Sequence, residues 1–356
     1  MMRLIMAGGG TGGHLFPGLA VAREFQRRDA ATKILFVGSD RGIESRVLPE
    51  EGFPLEALAI KGIKGRGIGG MLEAFYRVPV SFVRSMGIIA RFRPECCIGL
   101  GGYASAPLLF AAAARRIRCA IMEQNLRPGL TNRILGWVVN RIFTTFKESV
   151  SYFPVRKVME TGTPVRWPEL PVVKKDNKLT LLVFGGSAGA HTINQSVVDA
   201  LGRLQDLAGE LKVIHQTGES DYDRIQEAYA SLPFDSEVVR FIHRMDESYA
   251  KTDLIVCRAG ASTIAEITAF GKAAILVPYP YAADDHQRLN AEALEANGAA
   301  EMILDRKLDG EELARRIRSF HGDRRRIEAM GAAARKLGKP DAAKRIVDEC
   351  YALLKE

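Results

Sequence analysis

The stretch IMAGGGTGGH, residues 5–14, decides the fold of the first half of the chain. An apolar run over residues 4–7 breaks into five glycines, and His14 follows at once. An apolar run that ends in a glycine loop before a helical pattern is typical of the strand, turn and helix that bind phosphate in α/β domains. The stretch therefore predicts a strand–loop–helix unit with an anion site.

The rest of the first half repeats this alternation. Strand-like runs occupy residues 34–37, 96–99 and 120–122, and helical patterns lie at 17–28 and 106–116. Alternating strands and helices are typical of a parallel sheet with helices on both faces. We therefore predict an α/β, doubly wound domain.

A second domain follows a linker predicted at residues 156–178, where prolines and lysines interrupt the pattern. Residues 179–184 form a new strand-like run, and a second glycine loop, GGSAGAHTIN, spans 185–194. Tandem α/β domains usually bind ligand in the cleft between them, at the carboxyl ends of the strands. The segment 341–354 is predicted to be an amphipathic helix.

Composition narrows the functional class. The 356-residue chain is 47% hydrophobic and carries a net charge of +8, which favours an anionic partner. No helix-turn-helix, zinc-finger or RNA-binding pattern is visible, so nucleic acid is not expected. The five cysteines show no metal-ligand spacing, which suits a reducing cytoplasm. Neither a membrane span nor a signal peptide is expected.

The first glycine loop has three possible interpretations. Gly8, Gly10 and Gly13 satisfy G-x-G-x-x-G, and Asp40 stands where a dinucleotide fold places its ribose acid. The loop could also be a plain tight turn, or a site for a sugar nucleotide or an acceptor diphosphate. Pro17 suits the first turn of a helix, and His14 beside that helix could act as a general base or be structural.

In the second half, RAGASTIAE at 258–266 follows a strand-like run and predicts another helix N-terminus facing a ligand. Ser262 or Thr263 is expected to cap that helix. Glu266 could accept hydrogen bonds from ribose hydroxyls or interact with the helix dipole. The adjacent acids at 284 and 285 are expected to be helix caps rather than metal ligands.

Together these motifs resemble the MurG family of bacterial glycosyltransferases. The resemblance runs from residue 6 to about residue 291. Its motifs are GGGTGGH (8–14), GLGGYASAP (99–107), MEQN (122–125), TGTPVR (161–166), GGSAGA (185–190), RAGASTIAE (258–266) and VPYPYAADDHQ (277–287).

The resemblance implies the GT-B fold, with two Rossmann-like domains that face a cleft. It implies an N-terminal acceptor- and membrane-binding domain at 1–163, a C-terminal UDP-GlcNAc-binding domain at 164–340, and a last helix at 341–356 that packs back on the first domain. The implied reaction is inverting, metal-independent and cofactor-free transfer of N-acetylglucosamine from UDP-GlcNAc to the C4 hydroxyl of undecaprenyl-diphospho-N-acetylmuramoyl-pentapeptide, converting lipid I to lipid II.

The alternatives are a GT-B lipid glycosyltransferase with a diacylglycerol acceptor, an NAD-dependent oxidoreductase and a non-catalytic nucleotide sensor. The partners implied are UDP-GlcNAc, lipid I, an anionic membrane surface and other cell-wall synthesis proteins. The implied location is peripheral, on the cytoplasmic face of the bacterial plasma membrane.

The resemblance also assigns residues. His14 is the candidate base and Glu123 the second candidate. Asn125 and Gln287 correspond to ligands of the sugar hydroxyls, Glu266 to the ribose ligand, and Ile242 to the backbone that reads uracil. The remaining substrate-binding positions lie beside the phosphates or in the hinge: Thr11, Gly12, Gly13, Arg166, Ser187, Ala261, Ser262 and Thr263.

Residues 61–94 are predicted to dock on the membrane. They contain seven basic residues against one acidic residue, and Arg77, Arg84 and Arg91 recur every seven positions. Ile63, Leu72 and other apolar residues are interleaved with them, as in helices that lie in an anionic membrane interface. The alternative is an amphipathic helix that packs on the sheet and leaves its basic edge in solvent.

Overall fold

The computed structural model describes residues 2–39, 42–58, 67–102, 104–167, 169–174 and 177–356, with side chains from residue 79 onward in the helix that begins at 67. It divides into two compact units. The first contains the chain up to Arg166 together with Lys339–Glu356, and the second is Trp167–Gly338.

Thirteen strands lie in the described part of the chain. Those of the first unit are Arg3–Gly8 (β1), Lys33–Gly38 (β2), Leu55–Ala57 (β3), Cys96–Gly101 (β4), Arg118–Glu123 (β5), Arg141–Thr144 (β6) and Val158–Glu160 (β7). Those of the second unit are Leu179–Phe184 (β8), Leu211–Gln216 (β9), Asp235–Val239 (β10), Leu254–Cys257 (β11), Ala273–Leu276 (β12) and Glu301–Met302 (β13).

The helices fill the intervals between these strands. They are Gly12–Arg28 (α1), Glu44–Glu50 (α2), Gly67–Phe92 (α3), Ser105–Ala114 (α4), Leu130–Leu135 (α5), His191–Gly202 (α6), Tyr222–Ala230 (α7), Met245–Lys251 (α8), Ala261–Phe270 (α9), His286–Glu295 (α10), Gly310–Gly322 (α11), Arg324–Leu337 (α12) and Ala342–Leu353 (α13).

Each unit has one sheet, and its paired strands run parallel. The first sheet has the order β3-β2-β1-β4-β5-β6-β7, and the second has the order β10-β9-β8-β11-β12-β13. The strand order reverses beside β1 and beside β8, so both sheets are doubly wound and the predicted α/β class is confirmed. In such sheets ligands bind at the carboxyl ends of the strands, next to the reversal.

The first sheet is covered on both faces, and the middle positions of its central strands are apolar. Leu4 and Met6 pack with α1 and α13, whereas Ile5 and Ala7 pack against α3 and α4 on the other face. The predicted last helix is confirmed. Its buried stripe is Ile346, Val347, Cys350 and Leu353.

The start of α1 differs from the prediction. Pro17 was expected in the first turn, but α1 begins at Gly12 and Pro17 is its sixth residue. Thr11 is the extended residue before the helix, with φ −139° and ψ 156°. As a result His14 lies inside the first helical turn rather than in the loop, which fixes the direction of its side chain.

The predicted linker is also partly wrong. Its first residues form Val158–Glu160, which pairs in parallel with β6 and adds a seventh strand to the first sheet. Asp40 and residues 61–66 of the predicted membrane segment lie outside the described residues. Within the part of the chain that the structure describes, no helix is both long enough and apolar enough to span a bilayer.

Candidate functional site

The first glycine loop makes a tight contact with the end of β4. Gly8, Gly9 and Gly10 all have positive φ, at 127°, 141° and 87°, a region that side chains disfavour. A Cβ at Gly8 would collide with the carbonyl of Gly101, and the Gly9 amide donates to that carbonyl at 3.4 Å. The close approach of this loop to the backbone of β4 therefore favours glycine here, whether or not the loop also binds a ligand.

The loop also receives a buried carboxylate. Glu44, at the start of α2, is 1% exposed, and its oxygens accept hydrogen bonds from the amides of Gly10 at 2.8 Å and Ser39 at 2.9 Å. A carboxylate therefore already occupies an anion position on this loop. The phosphate site predicted at this loop stays a prediction, and its position would be the start of α1. There Thr11 is exposed, and Gly12 and Gly13 are half-buried.

His14 is oriented by a neighbouring amide. Its Nδ1 lies 3.2 Å from Oε1 of Gln124, and Nε2 of Gln124 donates to the carbonyl of Leu100 at 3.2 Å. Because that carbonyl can only accept, the Gln124 oxygen must face the imidazole, and Nδ1 must carry the proton. The lone pair that could take a proton from a substrate is then on Nε2.

Glu123 has a different environment from His14. It is 2% exposed, and burial raises its pKa, against the opposing effect of its hydrogen bonds. Oε1 accepts from the amide of Asn125 at 3.0 Å and its Nδ2 at 3.3 Å. Oε2 accepts from the amide of Gly129 at 3.3 Å and Nδ2 of Asn132 at 2.9 Å. This carboxylate organises the loop after β5 and holds Asn125 by both its backbone amide and its side-chain amide.

Arg166 belongs to the first unit. Its guanidinium lies 4.2 Å from the centre of the Phe16 ring on α1. A cation over an aromatic face is attracted by the negative charge on the face of the ring. The arginine predicted to bind the donor is thus oriented by the same helix that carries His14.

In the second unit, the loop after β8 repeats the glycine pattern. Gly186 and Gly189 have φ of 95° and 79°, and Ser187 lies exposed between them. Helix α6 begins at His191, directly after this loop, so its N-terminal amides face the same side as the loop. These features provide the donors and the positive dipole end that an anion site requires.

A buried amide connects this loop to the segment predicted to bind uracil. Gln216, at the end of β9, is 2% exposed. Its Nε2 donates to the carbonyl of Gly186 at 2.9 Å, and its Oε1 accepts from the amide of Ile242 at 2.9 Å. The amide of Ile242 is therefore already engaged within the protein.

Helix α9 begins at Ala261, and its N-cap is Gly260. Ser262 and Thr263 lie inside the first turn, and the N-cap makes no side-chain hydrogen bond, so the predicted capping is wrong. Glycine needs no side-chain cap because its small size leaves the first amides accessible. Further along the helix, Glu266 is 5% exposed and accepts a hydrogen bond from the Tyr249 hydroxyl at 2.9 Å.

The loop after β12 positions Gln287. Its Oε1 accepts from the amide of Tyr279 at 3.0 Å, so the group that it can offer a sugar oxygen is its Nε2 donor. Asp284 and Asp285 both have φ of 54°, and Asp285 precedes α10 without making a side-chain cap. The predicted acidic caps are therefore wrong. No group of three metal-ligating side chains occurs among the described residues.

The comparisons with known proteins agree with this arrangement. The N-terminal domain of glycosyltransferase family 28 matches residues 4–144, and the C-terminal domain of that family matches residues 180–346. The chain belongs to glycosyltransferase family 28. The resemblance predicted from the glycine loops and MEQN is confirmed, and so is the glycosyltransferase class.

Relatives in this family match over almost the whole chain. A protein of Syntrophus aciditrophicus (strain SB), named UDP-N-acetylglucosamine--N-acetylmuramyl-(pentapeptide) pyrophosphoryl-undecaprenol N-acetylglucosamine transferase, is 49% identical over 99% of both chains. A protein of the same name from Myxococcus xanthus (strain DK1622) is 45% identical and covers 99% of this chain and 94% of its own.

Solved structures share the fold. The crystal structure of Acinetobacter baumannii MurG matches with a TM-score of 0.77 at 29% identity, over 98% of each chain. The UDP-GlcNAc 2-epimerase of Neisseria meningitidis, bound to UDP-GlcNAc, matches with a TM-score of 0.70 at 15% identity and covers all of both chains. The MurG match supports the GT-B architecture of the family.

The sequence analysis assigned no role to three polar side chains. Gln124 stands inside the MEQN motif, where only its two neighbours were assigned roles. Glu44 and Gln216 lie outside the site residues that were singled out, and each contacts backbone that is remote in sequence. Of the three, only Gln124 carried a signal that sequence reasoning could have used.

Proposed function

We propose that this chain transfers N-acetylglucosamine from UDP-GlcNAc to the C4 hydroxyl of lipid I, forming lipid II with inversion at the anomeric carbon. The observation that carries the proposal is the near full-length match, at 45–49% identity, to family 28 transferases named for this reaction. Two features, each within its own unit, support it: the orientation of His14 in the first unit and the glycine loop before α6 in the second unit.

The acceptor is proposed to bind in the first unit, at the carboxyl end of its sheet. Its diphosphate would take the amides at the start of α1, around Thr11, Gly12 and Gly13. The C4 hydroxyl would lose its proton to Nε2 of His14 as it attacks the anomeric carbon. A general base of this kind contributes roughly 10²–10⁴-fold in rate.

Gln124 has a defined part in that step. By accepting from Nδ1–H of His14 it keeps the imidazole in the tautomer whose Nε2 is basic. It is neutral, so it orients the ring without stabilising the imidazolium as a carboxylate would. Glu123 is proposed to position Asn125 rather than to take the proton, because its two oxygens accept four hydrogen bonds from the loop.

The donor is proposed to bind in the second unit. Strands β8 and β11 are neighbours in the sheet, so the N-termini of α6 and α9 lie side by side at its carboxyl edge. Ser187 and the backbone of 261–263 would bind the diphosphate, and the two helix dipoles would stabilise the charge on departing UDP. Glu266 would accept from the ribose, and Gln287 would donate to the sugar.

The enzyme is further proposed to act at an anionic membrane surface. Support comes from α5 and the turn after it, where Leu130, Ile134 and Trp137 are exposed by 70%, 50% and 75%. Tyr152 and Val155 are exposed close by, and the guanidinium of Arg133 lies 5.6 Å from the Tyr152 ring. We name this surface the α5 face; it consists of Leu130, Ile134, Trp137, Tyr152 and Val155 with the exposed bases Arg127, Arg133 and Arg156.

The α5 face has the chemistry of a membrane interface, where aromatic and aliphatic side chains enter the headgroup region beside basic residues. The same short helix contributes Asn132, which donates to Glu123 at the proposed acceptor site. A lipid-linked acceptor would therefore lie next to a surface suited to its bilayer. The cytoplasmic leaflet, rich in anionic lipid, is the proposed location.

A single assay tests the proposed reaction. UDP release from UDP-GlcNAc is measured with a short-chain lipid I analogue, with diacylglycerol and without acceptor. We expect release that depends on the lipid I analogue and a disaccharide product with the inverted anomer. Release that depends on diacylglycerol, or that is independent of acceptor, would contradict the proposal.

A further inference from the structure

Gln216 connects two segments that the sequence assigns to different parts of the donor. Its Nε2 donates to the carbonyl of Gly186 in the glycine loop, and its Oε1 accepts from the amide of Ile242, both at 2.9 Å. Each end of the side chain meets a backbone group of the opposite hydrogen-bonding type. The assignment of its oxygen and nitrogen is therefore fixed by chemistry.

The topology explains why one side chain can reach both segments. Strand β9 lies between β8 and β10 in the sheet, and Gln216 is its last residue. The loop after β8 and the segment after β10 therefore flank it. On one side the amides of Thr217 and Gly218 donate to Val239 and Arg240, at 3.0 and 3.2 Å.

On the other side of Gln216, the loop after β8 lies equally close. A Cβ at Gly218 would collide with the carbonyl of Ala188 in the glycine loop. Asn194 of α6 donates from Nδ2 to the carbonyl of Thr217 at 2.9 Å. The three segments are thus packed backbone to backbone, and Gln216 supplies the side-chain hydrogen bonds that span them.

We propose that Gln216 is a positioning residue of the nucleotide site, an inference that rests on the proposed function. It sets the distance between the loop that takes the diphosphate and the backbone that takes the nucleobase. Both of these segments are held by hydrogen bonds from the two ends of this one buried side chain.

The argument predicts which substitutions matter. Leucine at position 216 removes both hydrogen bonds and leaves the Ile242 amide and the Gly186 carbonyl without these partners. Glutamate keeps the acceptor for Ile242 but places an oxygen against the Gly186 carbonyl. Buried polar groups left without partners carry an unfavourable desolvation cost, so neither change is conservative.

Isothermal titration with UDP tests the proposal, using the full chain and the variants Gln216→Leu and Gln216→Glu. Thr252→Val is the matched control, because Thr252 is also buried and donates to the Ser248 carbonyl at 2.6 Å, but it precedes β11 at the opposite end of the sheet. Thermal unfolding of each variant reports folding.

We expect Gln216→Leu to weaken UDP binding at least about tenfold, with Thr252→Val unchanged. Gln216→Glu is also expected to weaken UDP binding. In turnover, KM for UDP-GlcNAc should rise in both Gln216 variants, and KM for the lipid I analogue should not.

Wild-type UDP affinity in folded Gln216→Leu, or an equal loss in Thr252→Val, would overturn the inference. If Gln216→Leu fails to fold, an unchanged UDP affinity in Gln216→Glu overturns it. A wild-type chain that binds no UDP would instead refute the proposed function.

Discussion

Nδ1 of His14 lies 3.2 Å from Oε1 of Gln124, a residue 110 positions further along the chain. The pairing determines which imidazole nitrogen carries the proton. His14 is half-buried at the start of α1, and its ring is packed against the end of β4 near Gly101.

Replacing the proposed base should affect chemistry and leave nucleotide binding intact. We expect His14→Ala to lower kcat by roughly 10²–10⁴-fold, because the attacking hydroxyl loses its proton acceptor. UDP release with saturating lipid I analogue measures the effect, and titration with UDP checks binding. His321→Ala on α11 is the control, since that ring pairs with Glu210. Near-normal turnover of His14→Ala would remove His14 from the mechanism.

The partner of that histidine should control the pH profile. In Gln124→Glu the new carboxylate would stabilise the imidazolium, so we expect the pKa of His14 to rise. The base would then be protonated up to a higher pH, so the acidic limb of the kcat–pH profile should shift to higher pH. In Gln124→Leu the His14 imidazole loses its orientation, so kcat should fall. The acidic limb of this variant should lie at a lower pH than that of Gln124→Glu. Coincident limbs in Gln124→Glu and wild type would contradict the assigned pairing.

Glu44 should stabilise the first glycine loop. Glu44→Ala leaves the amides of Gly10 and Ser39 without their acceptor, and we expect a loss of about 1–3 kcal/mol in the free energy of unfolding. Urea denaturation measures this loss. The matched control is Glu50→Ala on the same helix, where the side chain is exposed and the expected change is within about 0.5 kcal/mol. Equal effects of the two substitutions would show that the loop does not depend on Glu44.

The α5 face should bind anionic vesicles. We expect the double variant Ile134→Ser with Trp137→Ser to lose at least about tenfold in affinity, since two large exposed apolar side chains no longer enter the interface. Co-sedimentation with vesicles containing phosphatidylglycerol measures binding, and added salt should weaken it.

Leu337→Ser is the control for this surface, because Leu337 is an exposed apolar residue of α12 in the second unit. Retained binding of the double variant would exclude the α5 face. Equal wild-type binding to neutral vesicles would exclude the electrostatic part of the proposal.

His215 should make the second unit sensitive to acid. It is fully buried between Tyr229 and Asn194, at 3.0 and 3.1 Å, and burial lowers its pKa to about 3. Its ordinary pKa is 6.5, so the unfolded chain binds a proton that the folded chain excludes. The stability contribution is complete above pH 6.5 and is lost as pH falls towards 3. Linkage gives a loss of about 2 kcal/mol by pH 5.

His215→Gln keeps a donor and an acceptor at this position but does not titrate. We expect the unfolding free energy of this variant to fall less between pH 7 and pH 5 than that of the wild type. Chemical denaturation at several pH values measures both slopes. Parallel slopes would show that His215 does not contribute to the acid sensitivity.

The periodicity of the chain predicts most of the fold. Branched apolar runs at 179–184 and 254–257 coincide with β8 and β11 residue for residue. Parallel strands covered on both faces have to be apolar throughout, and this requirement leaves a strong local signal. Where the signal was absent, the prediction was wrong: Val158–Glu160 is a three-residue edge strand inside a proline-rich stretch, and its pairing with β6 is a tertiary contact.

Helix starts were predicted less well. Pro17 and the hydroxyl residues 262 and 263 suggested helix starts later than those observed. In both helices the chain begins the first turn on glycine or alanine, after a loop of three residues that follows a strand. The position of the turn is set by how closely the loop approaches the neighbouring strand, and local capping propensities do not record that distance.

The sequence alone determined the class of this protein, because glycine loops, apolar strands and motif order are properties of consecutive residues. The tertiary structure alone decided which polar atoms meet. It directs Glu44 to the Gly10 amide, Gln124 to His14, and Gln216 to Gly186 and Ile242. These hydrogen bonds join residues that are distant in sequence, and they form only when parallel strands bring their carboxyl ends to one edge of a sheet.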